Sequence, residues 1–415
     1  MSNSSILVIG GGFSGITAAL EAAEVGHEVF IVEEMPYLGG RVAQLKHYFP
    51  KLCPPSCGLE INFQRIKNNP KVKYFTLAEV VSVSGGPGNY EVKIKIKPRY
   101  VNNNCTACDK CVEVCPVERS SDYDFDMGKT KAIYRPHLMS FPMRYVIDDQ
   151  VCEGTACAKC VEACEYQAID LDEKEREITL NVGSVVVATG WKPYDVAKLT
   201  NLGGGQIPNV ITNMQFERLA APAGPTSGKI QRPSDGEEPK RIAFVQCAGS
   251  RDQNHLDYCS YICCMASLKH CTYIREQYPD AEVVIYYIDL RAPGRYEKFL
   301  NKIQQDEKVL MVKGKVAKIE EDASSGNVTV TAEDIMGGMK KEEQFDLVVL
   351  ATGMQPSIAD GKLAIEVPKD EEGFITGGEE KGIFAVGCAK MPLDVMTSAE
   401  TATGAALKAI QTVRR

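Results

Sequence analysis

Eight cysteines between positions 105 and 164 fall into two runs whose residue type and spacing can hold metal. The first is Cys105, Cys108, Cys111 and Cys115, spaced C-x2-C-x2-C-x3-C and followed by Pro116. The second is Cys152, Cys157, Cys160 and Cys164, in the same frame with two extra residues in its first gap. The runs form an internal repeat: Thr106 to Val117 and Thr155 to Tyr166 agree at eight of twelve positions, implying two similar ligand loops. Short gaps let three thiolates of one loop converge on a small centre, and soft thiolates select iron–sulfur clusters. A zinc ribbon or structural disulfides would use the same residue type, but neither calls for eight Cys in two such runs.

The spacing resembles that of bacterial two-cluster ferredoxins, in which the fourth Cys of each run ligates the other cluster. That resemblance implies one [4Fe–4S] on Cys105, Cys108, Cys111 and Cys164. A second would sit on Cys152, Cys157, Cys160 and Cys115.

Such clusters need a scaffold, and the N-terminal residues begin one. Ile6 to Ile9 reads as a buried parallel strand. Gly10, Gly12 and Gly15 follow in G-x-G-x-x-G, with Phe13 and Ser14 between them. Ile16 to Val25 reads as a helix, and Glu28 to Val32 as the next strand, ending at Glu33 and Glu34. Glycines there allow a tight turn and bring backbone N–H groups at a helix N-terminus to a pyrophosphate. Glu33 is placed to accept from adenosine ribose hydroxyls, and an acid there disfavours a 2′-phosphate.

Gly39-Gly40-Arg41 soon after that acid resembles the two-dinucleotide-binding-domain flavoproteins, which implies FAD. Two strands resemble that family's A-T-G signature, ending at Ala188-Thr189-Gly190 and at Ala351-Thr352-Gly353. Gly382 to Gly387 resembles its last flavin strand, but Cys388 stands where the family has Asp. A helix from about 397 to 413 would aim its N-terminus at the flavin. The expected fold is α/β, a thioredoxin-reductase-like flavoprotein with an inserted two-cluster ferredoxin-like module.

Composition agrees with a globular protein. The chain has 415 residues, 25% charged and 44% hydrophobic, and a net charge of −8, with no basic stripe for nucleic acid. Sixteen Cys without a secretory signal point to reduced, metal-holding thiolates in a cytoplasmic compartment. No stretch reads as a membrane span, so attachment to a membrane would run through partners.

Alternation around Gly85 to Gly88 predicts a hairpin, and the pattern breaks at Pro98. The domain expectation is therefore a flavin domain over 1–97, an insertion over 98–171, and a second flavin-domain part with a linker over 172–235. A degenerate nicotinamide-type αβ domain follows over 236–340, then a third flavin-domain part over 341–415. The linker reading rests on Gly, Pro and Ser between 201 and 239. After the strand Arg241 to Val245 there is no G-x-G-x-x-G, so the usual NAD(P) site is not expected. Four cysteines stand there instead: Cys247, Cys259, Cys263 and Cys264. Their spacing fits a third [4Fe–4S] or four packed thiols equally well.

Several segments together resemble the A subunit of heterodisulfide reductases: Gly39 to Gln44, the cysteine insertion, Gly128 to Tyr134, Gln246 to Arg251 and Tyr258 to Met265. The resemblance implies that the Cys247 quartet ligates a third cluster near the flavin. By this resemblance the chain is expected to have neither the extra N-terminal domain nor the C-terminal ferredoxin domain of larger members. In this it is similar to the A subunit of the quinone-interacting membrane-bound oxidoreductase complex of sulfate reducers. That similarity implies a peripheral place at the inner face of the membrane. The implied partners are adenylylsulfate reductase, a haem-bearing membrane subunit, and a second flavin/iron–sulfur subunit. The alternatives are the A subunit of a soluble heterodisulfide-reductase-like complex, bifurcating electrons at its flavin, and an FAD-dependent disulfide reductase.

The last reading would use Cys53 and Cys57, a C-x3-C pair soon after Gly40. Packed thiols are the rival account of both. Cys271 reads as core, and Cys388 either packs or touches the cofactor. The five His carry no assigned role.

Overall fold

The computed structural model describes residues 4–361 and 363–414. The chain divides into two compact units, 1–191 with 356–415, and 192–355.

The first unit is built on a five-stranded parallel sheet. Its order is Ile383–Ala385, Ser184–Val187, Ile6–Ile9, Val29–Val32 and Val72–Phe75. The two strands nearest the N-terminus are apolar and buried at every position, as a sheet covered on both faces requires. One face, through Ile6, Val8 and Ile31, packs on the helices Phe13–Glu24 and Val395–Arg414. Alanines on both helices (Ala18, Ala22, Ala402, Ala406) let them approach closely within that core. The other face, through Leu7, Ile9 and Val32, packs on an antiparallel sheet of Arg176–Val182, Asn89–Ile96 and Ala78–Gly86. The predicted hairpin is thus present, with its turn at 87–88.

The cysteine insertion leaves and rejoins this unit through adjacent backbone. Val101 bridges Ile169, and Asn102 N–H donates to Ala168 O at 2.8 Å. Inside, the two short helices Lys110–Val114 and Lys159–Glu162 stand at equivalent places in the repeat. Each is preceded by a left-handed residue, Asp109 at φ 69° and Ala158 at φ 46°. Repeat and backbone therefore agree: the two loops turn alike.

The second unit holds another five-stranded parallel sheet, in the order Val210–Thr212, Leu347–Thr352, Arg241–Ala248, Glu282–Tyr287 and Val309–Lys313. Here the structure departs from the sequence-based boundaries. The stretch 201–239, expected as a linker, contributes an edge strand and the helix Asn213–Ala220, which starts in a Thr212–Gln215 capping box. The strand Leu347–Thr352, expected in the flavin domain, pairs with Arg241–Ala248 instead, so the first unit resumes at Pro356 and not at 341. In its core Glu217, 2% exposed, meets Lys269 Nζ at 2.7 Å and His270 Nε2 at 2.6 Å.

Candidate functional site

The first unit contains a cavity of about 730 Å³ beside the glycine loop, within the roughly 300–1,000 Å³ range of cofactor sites. Gly10, Gly12, Phe13 and Ser14 line it, with Glu33, Glu34, Gly40 and Arg41. Glycine is required by contact here. A Cβ on Gly10, at φ 104°, would lie 2.3 Å from Ala188 O, and one on Gly40 would lie 2.9 Å from Gly12 Cα. Gly15 does not line the cavity; its own Cβ would lie 1.9 Å from Gly10 O, so it permits the helix to meet the strand. The helix Phe13–Glu24 has no side-chain cap and no acid in its first turn, leaving its N-terminal N–H groups for an anion.

Glu33 closes one wall. Its carboxylate accepts Gly11 N–H at 2.6 Å and Met35 N–H at 2.8 Å. Burial raises its pKa to about 7; the two N–H bonds oppose that rise, and neighbouring Glu34 adds to it. Gly39, at φ 112°, donates its N–H to Gly11 O and so fixes the Gly39–Arg41 segment to the loop. Arg41 Nε donates to Trp191 O at 2.5 Å, and its guanidinium lies 5.4 Å from the indole centroid. Burial holds that guanidinium below its usual pKa.

Ala188, Thr189 and Gly190 line the opposite wall. Thr189 Oγ1 is buried with no hydrogen-bond partner, a donor kept for something the cavity receives. Cys388 lines the cavity too. Its thiol donates to Leu393 O at 3.4 Å, and burial pushes it up to about 11, so it presents a neutral thiol. Gly387 stands behind the wall, where a Cβ would lie 2.3 Å from Ser14 Oγ. A carboxylate does reach this wall, from Asp394, which also caps the last helix by accepting Thr397 N–H at 2.8 Å. The helix begins at Val395, two residues before its expected start.

Sequence reasoning missed Asp394, Trp191, and two residues of the insertion, Asp122 and Phe125, all of which line the cavity. The insertion is fastened there: Gln44 Nε2 donates to Tyr123 O at 3.1 Å, and Tyr123 OH donates to Ala43 O at 2.5 Å. Arg99, 6% exposed, bridges Tyr145 O of the insertion to Pro36 O and Thr76 Oγ1 of the flavin unit. None of these contacts has a local sequence signal.

Within the insertion the cysteines sort into two cavities across the repeat. Cys105, Cys108, Cys111 and Cys164 line one; Cys115, Cys152, Cys157 and Cys160 line the other. Among the described residues no three His, Cys, Asp or Glu side chains converge tightly enough for a single ion. Thiols that ring a cavity suit a multi-iron centre better than a lone zinc. Burial raises the Cys111 thiol to about 12 and the Cys160 thiol to about 11, with neighbouring cysteines adding. Iron would have to displace those protons on binding.

The second unit gathers Cys247, Cys259, Cys263 and Cys264 within electrostatic reach of one another. The pairing of Arg241–Ala248 with Leu347–Thr352 shifts register between Val245 and Ala248, and Cys247 there is left-handed at φ 56°. Thr352 O accepts the Cys263 thiol at 3.7 Å, and Gly353 N–H donates to Ala248 O at 3.1 Å. Thr352, which ends that strand, and Gly353 after it, both expected on the flavin, stand beside this quartet instead. Cys271 is fully buried core. Cys53 and Cys57 are not among the described residues lining the flavin-type cavity; Tyr48 lies beside both.

A family profile described as FAD dependent oxidoreductase matches residues 5–49. The chain is 38% identical over 97% of its length to the A subunit of the H(2):CoB-CoM heterodisulfide,ferredoxin reductase of Methanothermobacter thermautotrophicus, covering 63% of that protein. It is 40% identical over 97% to one of two iron-sulfur A subunits of the CoB–CoM heterodisulfide reductase of Methanopyrus kandleri, again covering 63%. For the A subunit of the Ferredoxin:CoB-CoM heterodisulfide reductase of Methanosarcina mazei the figures are 36%, 98% and 53%. Thioredoxin reductases of Lactococcus lactis and T. acidophilum superpose with a TM-score of 0.53 each, at 13% and 14% identity. The first pair covers 99% of both chains, the second 99% of this chain and 97% of that one. Among the described residues no helix is long and apolar enough to cross a membrane. With the dinucleotide cavity, the fold and these relatives together, the chain is an FAD-oxidoreductase-type flavoprotein similar to heterodisulfide reductase A subunits, and it spans about 63% of the length of the first of those relatives.

Proposed function

We propose that this chain is the flavin and iron–sulfur electron-transfer subunit of a heterodisulfide-reductase-like complex, with one FAD and three [4Fe–4S] clusters. The observation that carries the reading is the shared wall: Asp122 and Phe125 of the cysteine insertion line the flavin-type cavity. A free-standing disulfide reductase has no use for that adjacency, and Cys53 and Cys57 lie off the described cavity wall.

When bound, FAD supplies the exchange between two-electron and one-electron chemistry, and the clusters supply one-electron transfer. The chain binds, orients and insulates. Gly10, Gly12 and the helix behind them receive the pyrophosphate, Glu33 the ribose, and Thr189 donates its free hydroxyl into the cavity. Tyr123, Gln44 and Arg99 hold the insertion against that cavity, which sets the separation an electron must cross. The ligand sets are Cys105, Cys108, Cys111 and Cys164; Cys115, Cys152, Cys157 and Cys160; and Cys247, Cys259, Cys263 and Cys264.

The partners in this reading are further flavin/iron–sulfur and catalytic subunits of the same complex, as the relatives' designation as A subunits supports. The narrower assignment is a quinone-linked complex of sulfate respiration, with adenylylsulfate reductase and a haem-bearing membrane subunit. It depends on those partners and on no residue in this chain.

Anaerobic purification from the native source, with iron, acid-labile sulfide, flavin and co-purifying subunits measured, tests the proposal. The expected result is about twelve irons and one FAD per chain, with heterodisulfide-reductase-type subunits attached. A haem-bearing membrane subunit in their place would select the quinone-linked assignment. A chain without flavin would overturn both.

A further inference from the structure

Two guanidinium groups, Arg251 and Arg291, flank the cysteine quartet of the second unit and share one carboxylate. Arg251 Nη1 is ion-paired with Asp289 Oδ1, and Arg291 Nε with Asp289 Oδ2 at 3.1 Å. The backbone of the same aspartate accepts the Cys264 thiol at 3.7 Å. Arg251 hydrogen-bonds the Cys247 sulfur through its side chain. Arg291 lies within electrostatic reach of Cys259, and its backbone N–H donates to Cys264. Tyr261 N–H donates to Cys259 Sγ at 3.4 Å.

The backbone is bent to make this arrangement. Cys247 and Arg251 are both left-handed, at φ 56° and 54°, where non-glycine residues are disfavoured. Arg251 is held there by N–H donation to Tyr258 O at 3.0 Å. Two strained residues, four positions apart, place one sulfur and one guanidinium together. Sulfurs of the insertion receive backbone donors too, Gly154 N–H to Cys152 and Ala168 N–H to Cys164, each at 3.4 Å, and Arg144 lies within electrostatic reach of Cys105.

The electrostatics follow from charge. A cubane held by four thiolates is a dianion when oxidised. One-electron reduction makes it a trianion, with no bond formed or broken and no proton moved. Hydrogen bonds to the sulfurs and nearby charge are among the levers that set such a potential. Two guanidiniums sharing one carboxylate leave a net positive charge beside the sulfurs, and that charge favours the reduced state.

We propose that Arg251, anchored by Asp289 and seconded by Arg291, is a positioning residue that raises the reduction potential of a [4Fe–4S] cluster on this quartet. The inference rests on the cluster reading of Cys247, Cys259, Cys263 and Cys264.

The test is an EPR-monitored redox titration of the full chain, reconstituted anaerobically, with iron counted in every sample. Cys247→Ser identifies the centre by the signal it removes. In Arg251→Gln and Arg291→Gln the iron content stays native, and that centre alone moves to lower potential. The expected size for Arg251→Gln is a tenfold shift of its reduction equilibrium, 59 mV for one electron. Arg251→Lys, which keeps the charge, recovers most of the shift. An unchanged potential at full iron content overturns the inference, as does loss of the centre from both Gln variants, which would make the pair structural. If the native chain holds only about eight irons and Cys247→Ser removes no signal, the cluster reading itself fails, and the inference with it.

Discussion

The Glu33 carboxylate accepts the backbone N–H of Gly11 at 2.6 Å, so the acid ending the second strand also braces the loop after the first. One side chain therefore has two duties, shaping the glycine turn and facing the cavity.

That double role makes flavin binding depend on pH. Burial raises Glu33 from an ordinary 4.5 to about 7. Between those values the folded protein holds a proton that the unfolded chain has lost. The group's contribution to stability is therefore full below about 4.5 and is lost as pH rises through about 7. Ribose hydroxyls donate, so they prefer the carboxylate, and binding below about 7 must release that proton. FAD affinity of deflavinated protein should rise about tenfold from about pH 6 to about pH 8, as a group of that pKa ionises. In Glu33→Gln the profile should be flat. A flat profile in the native protein would show that Glu33 does not meet the ribose.

The crossed cysteine sets make a prediction about which variants look alike. Cys164→Ser should remove the same EPR signal as Cys108→Ser, although the two lie in different runs. Cys115→Ser should match Cys157→Ser. If signals instead pair within each run, the cavities lined by Cys164 and Cys115 do not hold the clusters as proposed.

Gly15 and Gly404 separate close packing from simple helix propensity. A methyl on Gly15 meets Gly10 O at 1.9 Å, so Gly15→Ala should cost about 1–3 kcal/mol and lower flavin content. Gly404 lies in the last helix with nothing within 4 Å of its Cβ position. Gly404→Ala should stabilise by about 0.5–1 kcal/mol. Thermal unfolding of both variants checks the contrast.

Glu217 should be the most sensitive charged residue of the second unit. Burial alone would raise its pKa, but Lys269 and His270 outweigh burial and hold it well below the carboxylate range. Glu217→Ala leaves Lys269 buried without its carboxylate and should cost about 3–5 kcal/mol, read as a lower denaturant midpoint. A loss under about 1 kcal/mol would mean that water replaces the carboxylate.

What was legible in the sequence was local. The glycine loop, Glu33 and the hairpin are set by neighbours a few residues apart, and both cysteine runs announce themselves by spacing. The strand Leu347–Thr352 was misplaced because its apolar run and A-T-G ending match Val185 to Gly190. Only the pairing with Arg241–Ala248 tells the two apart, and pairing is not a local property. Residues 201–239 read as a linker because glycine and proline are frequent there. Yet Val210–Thr212 needs only three residues to extend a sheet that is already formed. Asp122, Phe125 and Asp394 reach the flavin-type cavity through tertiary contacts for which no spacing rule exists.

The order of the central sheet bears on how the protein is made. Ile6–Ile9 leaves the ribosome first, but its neighbour Ser184–Val187 emerges only after the whole cysteine insertion, and Ile383–Ala385 far later. The cavity wall draws on residues from Ile9 to Ser398. Both cysteine runs are therefore exposed and complete while the flavin pocket still lacks a side. Synthesis order thus separates the two sites: any metal that the cysteine loops take could be bound before the last wall of the flavin-type cavity exists.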